Sequence, residues 1–321
     1  MKKPVIGILM GDCGGVGPEV IAKTLHDYDG SWSALIIGPM KCLRPEMEKY
    51  APECASAMKP YDGTAEGVQY IDVDAEDIPM GTYSASAGKA AIDAAYKVAE
   101  LVNQGVIDGV LMGPHTNRSL HLADESLKDE IALLEKAFGV AHCGRIVKHS
   151  NVLRAAVVGP CPFREIFGQI TEEAILQTGE DLIEALKLFG LEKNGIAVSA
   201  MNPHKGDGGL FGDEEFWLDK VVEKYQAKHP DLRIEGTYAP DSLLIRGVKG
   251  QEAGLLYLHI NQGEISMTTW AYGEETPIYV GLPCVVMSTE FGANMKQAGK
   301  GIADAVNMKY SLGQLLLALE H

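Results

Sequence analysis

Val5-Ile6-Gly7-Ile8-Leu9-Met10-Gly11-Asp12-Cys13-Gly14-Gly15-Val16-Gly17-Pro18-Glu19 is a short apolar run that breaks into a glycine-rich turn and then meets a proline. A run of that length with no polar residue at alternate positions reads as a strand buried on both faces. Pro18 stands where the first turn of a helix accepts it, since the N–H it lacks has no partner there. The same order recurs along the chain. Residues 34–37, 106–112, 153–158, 196–201 and 255–260 read as further buried strands with helical patterns between them. In residues 87–104, Ala91, Ala94, Ala95, Val98, Leu101 and Val102 recur at three- and four-residue spacing, and Gly105 supplies the stop. A second helix opens at Thr171, an N-cap followed by Glu172 and Glu173, and runs toward Phe189. Strand and helix in alternation predict an α/β fold with a mostly parallel sheet covered on both faces.

The chain has 321 residues, enough for two α/β units or one large one, and 46% hydrophobic with 22% charged residues places it among globular proteins. No apolar run reaches the roughly 18 residues a membrane span needs. Lys and Arg number 28 against 44 Asp and Glu, a net charge of −16 that repels phosphate backbones and anionic lipid, so neither nucleic acid nor membrane is an expected partner. The six cysteines lie apart, without CxxC pairs or a signal-peptide pattern ahead of them, which predicts free thiols in a reducing cytoplasm. Leu319-Glu320-His321 resembles the start of a tag, and His321 is left out of any chemical argument. No short-period repeat or Pro/Gly/Ser linker marks a domain boundary.

Four loops follow predicted strands. The turn at residues 11–17 is either a tight strand-to-helix connection or an anion cradle. Its spacing is not G-x-G-x-x-G, and the second strand ends in Gly38-Pro39 rather than an acid, which argues against a dinucleotide site of the Rossmann kind. Gly113-Pro114-His115-Thr116-Asn117-Arg118 lies where open α/β sheets bind ligands, with His115 either structural or catalytic. Met201-Asn202-Pro203-His204-Lys205-Gly206-Asp207-Gly208-Gly209 presents His204 at a strand end that has no structural need of it. In Leu258-His259-Ile260-Asn261, strand alternation would put His259 and Asn261 on one face. Toward the end, Gly281-Leu282-Pro283, residues 288–293 and residues 298–304 read as a strand, a turn and a helix of small residues.

Taken together these stretches resemble the PdxA family, the 4-hydroxythreonine-4-phosphate dehydrogenases and their relatives. The residues that carry the resemblance are MGDCGGVGPEV from Met10, SASAGKAAIDAA from Ser84, LMGPHTNRSLHLA from Leu111, CPFREIF from Cys161, MNPHKGDGGLFGDEE from Met201, APDSLL from Ala239, NQG from Asn261, and GLP and AGKGIAD near the end. The resemblance implies a two-domain fold like that of isocitrate and isopropylmalate dehydrogenases. One domain would comprise residues 1–135 with 265–321; the other, residues 136–264, would carry the interface of a homodimer with shared active sites. It also implies NAD-linked oxidation of a secondary alcohol followed by decarboxylation, assisted by a divalent metal such as zinc on three histidines. Such a metal would polarise the substrate hydroxyl and then the ketone.

Residue by residue, the resemblance implies Ser288, Glu290, Gly292, Gly299 and Gly301 as NAD-binding, Asp241 and Lys128 as catalytic, and His204 as a retained metal ligand. The family's Thr-Thr-His is Gly159-Pro160-Cys161 here, and its Tyr-His-Asp-Gln-Gly places Ile260 at the histidine, so Cys161, His259 and Asn261 are the candidates to complete coordination. Its Gly-His-Thr-Glu is Leu127-Lys128-Asp129-Glu130, and two further phosphate-reading cations align with Thr268 and Val286. A phosphate monoester needs several charge-assisted donors. Two functions follow: an NAD-dependent oxidoreductase acting on a small hydroxy acid or diol, or a non-catalytic homodimer that keeps the fold and binds a small metabolite.

Overall fold

The computed structural model describes residues 3–320; Met1, Lys2 and the His321 of the tag-like end lie outside the described residues. In chain order its strands are β1 (Val5–Leu9), β2 (Ser33–Gly38), β3 (Lys59–Pro60), β4 (Val68–Asp72), β5 (Gly109–Met112), β6 (Gly144–His149), β7 (Val152–Val158), β8 (Ile196–Ser199), β9 (Ile234–Tyr238), β10 (Gly254–His259), β11 (Glu275–Val280) and β12 (Val285–Ser288). The described residues form two compact units, residues 3–143 with 281–320, and residues 144–280.

In the first unit the strands lie in the order β3-β4-β2-β1-β5-β12, and every neighbouring pair is parallel. β1, β2 and β5 are buried along their whole length, as strands covered on both faces must be. The Ala85–Asn103 helix covers them with a stripe of alanines; Ser84 caps it by accepting from Ala87 N at 3.1 Å, and Gly105 closes it at φ 69°. Because Val106 N turns back to Leu101 O, β5 starts only at Gly109, three residues later than the apolar run suggests.

The second unit has the order β11-β6-β7-β10-β8-β9. β7, β10, β8 and β9 are parallel, whereas β6 runs antiparallel to both its neighbours. The β6–β11 ladder runs from His149 opposite Glu275 to Gly144 opposite Val280, which keeps residues 144–149 and 275–280 together. The units therefore divide at 143/144 and 280/281, downstream of the positions 135/136 and 264/265 expected from sequence. Thr171 caps the Glu172–Lys187 helix as its side chain predicts. Two local expectations are corrected. β10 ends at His259 and a helix, Ile260–Trp270, begins at once, so Asn261 does not continue the strand's alternation. Residues 295–301 form turns instead of a helix, because Gly299 and Gly301 both take φ 72°. Among the described residues no helix is long and apolar enough to cross a membrane.

The second unit buries a charged cluster. His149 is fully inaccessible, Arg154 donates toward it at 3.5 Å, and Arg154 pairs with Glu264 at 2.5 Å. Burial, then the charges of Arg154 and Arg145, hold the His149 imidazole down to about 3. The unfolded chain takes up a proton near pH 6.5 that the folded chain refuses. Stability is thus full above that pH and is lost as pH falls toward 3, by up to about 1.4 kcal/mol per unit. Between pH 6.5 and 5 urea unfolding should show a loss of about 2 kcal/mol, and His149→Gln should remove that part of the slope; an unchanged slope in the variant would refute the assignment.

Candidate functional site

The carboxyl ends of β1, β5 and β12, adjacent parallel strands of the first unit, carry three of the loops singled out from sequence. They are tied to one another through Asp12, which is 1% exposed. Its Oδ1 accepts from Gly14 N at 3.0 Å and its Oδ2 from the Thr116 hydroxyl at 2.8 Å, while its own N–H donates to Pro114 O at 2.9 Å. Thr116 Oγ1 in turn caps the Asn117–Ala123 helix by accepting from Ser119 N at 3.3 Å. Val16 N donates to Ala293 O at 2.8 Å, and Ala293 N to His115 O at 3.3 Å, which joins the third loop. Glycine is required where the loops touch. A Cβ on Gly15 would lie 2.3 Å from Ala293 O, and one on Gly11, at φ 73°, would lie 2.2 Å from Pro114 O. With Gly15 N donating to Asp12 O at 3.1 Å, the amides of Asp12, Gly14, Gly15 and Val16 are all committed to the protein. That favours the strand-to-helix connection over the anion cradle.

His115 lies with its Nε2 3.5 Å from Glu130 Oε2, both side chains about 15% exposed. Neither Asp12 nor Glu130 was picked out as functional from sequence; a carboxylate directly before a glycine turn is the signal that could have found Asp12.

Ser288 ends β12 buried, its hydroxyl donating to Thr289 O at 2.9 Å and its carbonyl accepting from Ser311. Glu290 N donates to Asn307 Oδ1 at 2.9 Å, and Gly292 leaves an open face whose nearest atom, His115 O, would be 3.5 Å from a Cβ. The segment with Gly299 and Gly301 is clamped onto the Gly17–Leu25 helix. Glu19 accepts from Ala303 N at 2.9 Å and from Lys23 at 2.7 Å, and Lys23 donates to Ala303 O at 2.7 Å. Beside that segment an open cleft of about 680 Å³ is lined by Lys23, His26, Lys49, Tyr50, Asp304 and Lys309. Lys23 and Lys49 stand 4.8 and 4.6 Å from the centre of the Tyr50 ring. These cations are scattered in sequence, which is why no basic cluster was visible there. Lys128 is exposed in the turn before the Glu130–Phe138 helix.

In the second unit Cys161, His204 and His259 follow or end β7, β8 and β10, three neighbouring parallel strands. The loop bearing His204 is held by Glu215, which is buried and accepts from Met201 N at 3.1 Å and Asn202 N at 2.5 Å, and by a Lys205–Asp219 pair at 3.0 Å. His204, Lys205 and Asp207 take left-handed φ of 55°, 56° and 46°, each at a cost of about 1 kcal/mol, a strain seldom kept without use. His204 is exposed, its ring 6.3 Å from that of Phe211. His259 is half-buried, with its imidazole titrating low because of that burial, and its Nδ1 has no hydrogen-bond partner. Cys161 is half-buried; Asn261 and Asp241 are exposed in the first turns of their helices. Among the described residues no group of three or more His, Cys, Asp or Glu side chains could hold a metal ion. The donors within a single chain do not fit a metal, although topology brings three of them to one sheet end.

Removing the Asp12 carboxylate strands Gly14 N and the Thr116 hydroxyl. Asp12→Ala should cost about 3 kcal/mol in urea unfolding and Thr116→Val about 1 kcal/mol. A cost under about 1 kcal/mol for Asp12→Ala would mean the loops are held by other contacts.

A family model described as "Pyridoxal phosphate biosynthetic protein PdxA" matches residues 31–314. A 4-hydroxythreonine-4-phosphate dehydrogenase from a Nostoc species is 28% identical, across 97% of this chain and 91% of that protein. The crystal structure of a 4-hydroxythreonine-4-phosphate dehydrogenase from Klebsiella pneumoniae matches with a TM-score of 0.81 at 21% identity, over 99% of this chain and 100% of that one. A β-decarboxylating dehydrogenase from Thermococcus kodakarensis matches with a TM-score of 0.51 at 17% identity, over 99% and 84%. These two likenesses concern the fold, and they agree with the dehydrogenase-like architecture expected from the motifs. With the family model covering most of the chain, including all of the second unit and most of the first, the protein belongs to the PdxA family.

Proposed function

We propose that the protein is an NAD-dependent oxidoreductase that oxidises a small hydroxy acid or diol, with the dinucleotide bound to the first unit. The observation that carries this reading is the meeting of three loops at the carboxyl ends of β1, β5 and β12, beside a cation-rich cleft, in a chain of this family. Open α/β sheets bind ligands at such strand ends. Because the glycine turn commits its amides internally, the pyrophosphate of a dinucleotide needs charge from elsewhere. Lys49 is exposed at the cleft and has no carboxylate within ion-pair distance among the described residues, while Lys309 pairs with Asp27 at 2.5 Å. NAD when bound supplies the hydride acceptor. The residues Ser288, Glu290, Gly292, Gly299 and Gly301 line or shape the approach to it, and the Glu130 carboxylate lies 3.5 Å from the ring of His115, on the loop beside Gly292. Asp241 and Lys128 are the catalytic residues in this reading.

The named substrate of the Nostoc relative, 4-hydroxythreonine 4-phosphate, belongs in the panel, but the positions aligned with phosphate-reading cations hold Thr268 and Val286. A phosphorylated hydroxy acid would therefore need its charge met by cations at other positions. The second unit supports pairing of two copies: Phe163 (78% exposed), Leu210 (72%) and Ile265 (73%) stand on the segments that follow β7, β8 and β10. A second reading, a homodimer that binds a metabolite without turnover, is favoured by the lack of a three-donor metal group among the described residues.

NADH titrated by fluorescence should bind, and Lys49→Glu should weaken it about fivefold, the effect of roughly 1 kcal/mol expected for one exposed charge. A panel of hydroxy acids and diols, with and without zinc, manganese and magnesium, should yield NADH absorbance at 340 nm (on the order of one turnover per second or more). Binding without any turnover would support the second reading, and absence of both would overturn the first. Light scattering should give a dimer, and a Phe163→Glu, Ile265→Glu double variant should shift it to monomer.

A further inference from the structure

Between β4 and the Ala85–Asn103 helix, residues 79–83 cross the loops at the carboxyl ends of the first unit's strands. Gly81 N donates to Gly14 O at 2.7 Å, and a Cβ on Gly14 would lie 3.0 Å from Thr82 O. A Cβ on Gly81 would lie 3.2 Å from Met295 O, and one on Gly299 would lie 3.2 Å from Met80 Cγ. The crossing delivers Tyr83 to the Asn117–Ala123 helix, where the Arg118 guanidinium stands 4.9 Å from the centre of its ring. Both side chains are exposed, Tyr83 at 40%. The guanidinium is thus held three residues from His115, whose carbonyl accepts from Ala293 N beside the open face of Gly292. Although the chain has 44 Asp and Glu, Arg118 has no carboxylate within ion-pair distance among the described residues. Neither helix that starts here carries an acid in its first turn.

We propose that Arg118 reads the carboxylate of the substrate, so that the substrate is a hydroxy acid and not a neutral diol; this rests on the function proposed above. Fixing a long side chain costs rotamer freedom that an exposed ring contact returns only in part, and a bound anion supplies the rest. A guanidinium held in advance also loses less freedom when it binds a planar anion. Its parallel N–H groups match the two oxygens of a carboxylate, whereas a phosphate monoester, with nearly two charges, needs several such donors. One free guanidinium therefore suits a carboxylate. Tyr83 is the positioning residue, and the contacts of residues 80–82 with Gly14, Met295 and Gly299 fix Tyr83 in turn.

The test titrates oxalate, glycolate and malate into the full-length chain by calorimetry, with and without NADH, and uses propylene glycol as the neutral control. At least one of the acids should bind and the glycol should not. Arg118→Gln should weaken that acid about tenfold or more while leaving the NADH Kd within about twofold. Arg118→Lys should regain part of the loss, because an ammonium keeps the charge but not the fork. Tyr83→Leu, which removes only the ring that positions the guanidinium, should weaken the acid about threefold. Binding of none of the acids, or equal acid binding in the wild type and Arg118→Gln, would overturn the proposal. Failure of NADH to bind would count against the dinucleotide reading instead, and the titrations without NADH would still decide the role of Arg118.

Discussion

A buried carboxylate must be met by donors, and Asp12 meets this demand with groups from its own turn and from the next loop. Much of the local geometry follows from that requirement. The Thr116 hydroxyl that satisfies Asp12 also starts a helix, so the β5 loop cannot move without loosening both. The turn reaches the β12 loop through Val16, and the contact is so close that Gly15 admits no side chain. What looks in sequence like a phosphate loop is a clasp among three strand ends. What the clasp leaves open is the face over Gly292 and the cleft along residues 302–306.

The second unit repeats the arrangement with different chemistry. Loops again leave the carboxyl ends of neighbouring parallel strands, and a buried carboxylate, Glu215, again gathers backbone amides. Here the clasp holds a left-handed stretch that presents His204 to solvent. A strained loop, an exposed imidazole and apolar side chains on adjoining segments stand together at this end of the sheet.

The α/β class and the strand-to-helix grammar were legible because Val5–Leu9 and its counterparts are predominantly apolar and are followed by caps and glycines of defined geometry. Thr171 and Gly105 act as their chemistry predicts. The end of β10 was not legible. His259-Ile260-Asn261 fits both a continuing strand and a helix start, and only Leu258 N and Ala200 O bonding to the Gln262 side chain decide for the helix. Glycines at 299 and 301 fit a small-residue helix by composition and turns by φ. The basic cleft was hidden for another reason: Lys23, Lys49 and Lys309 converge only through packing of the Gly17–Leu25 helix against residues 301–303. The unit boundary likewise depends on a pairing between residues more than a hundred positions apart. Some of the motifs that carry the family resemblance stand on loops where backbones approach closely, as at Gly11 and Gly15, whereas those from Ser84, Ala239 and Asn261 lie at the starts of helices.

Under the proposed function the first unit receives a dinucleotide over the clasp of strand ends and the neighbouring cleft. Hydrogen–deuterium exchange with and without NADH tests it most directly. The account predicts slowed exchange confined to peptides covering residues 10–17, 113–117, 288–304 and the Lys49 region. Protection confined to residues 144–280, or none at saturating NADH, would contradict it.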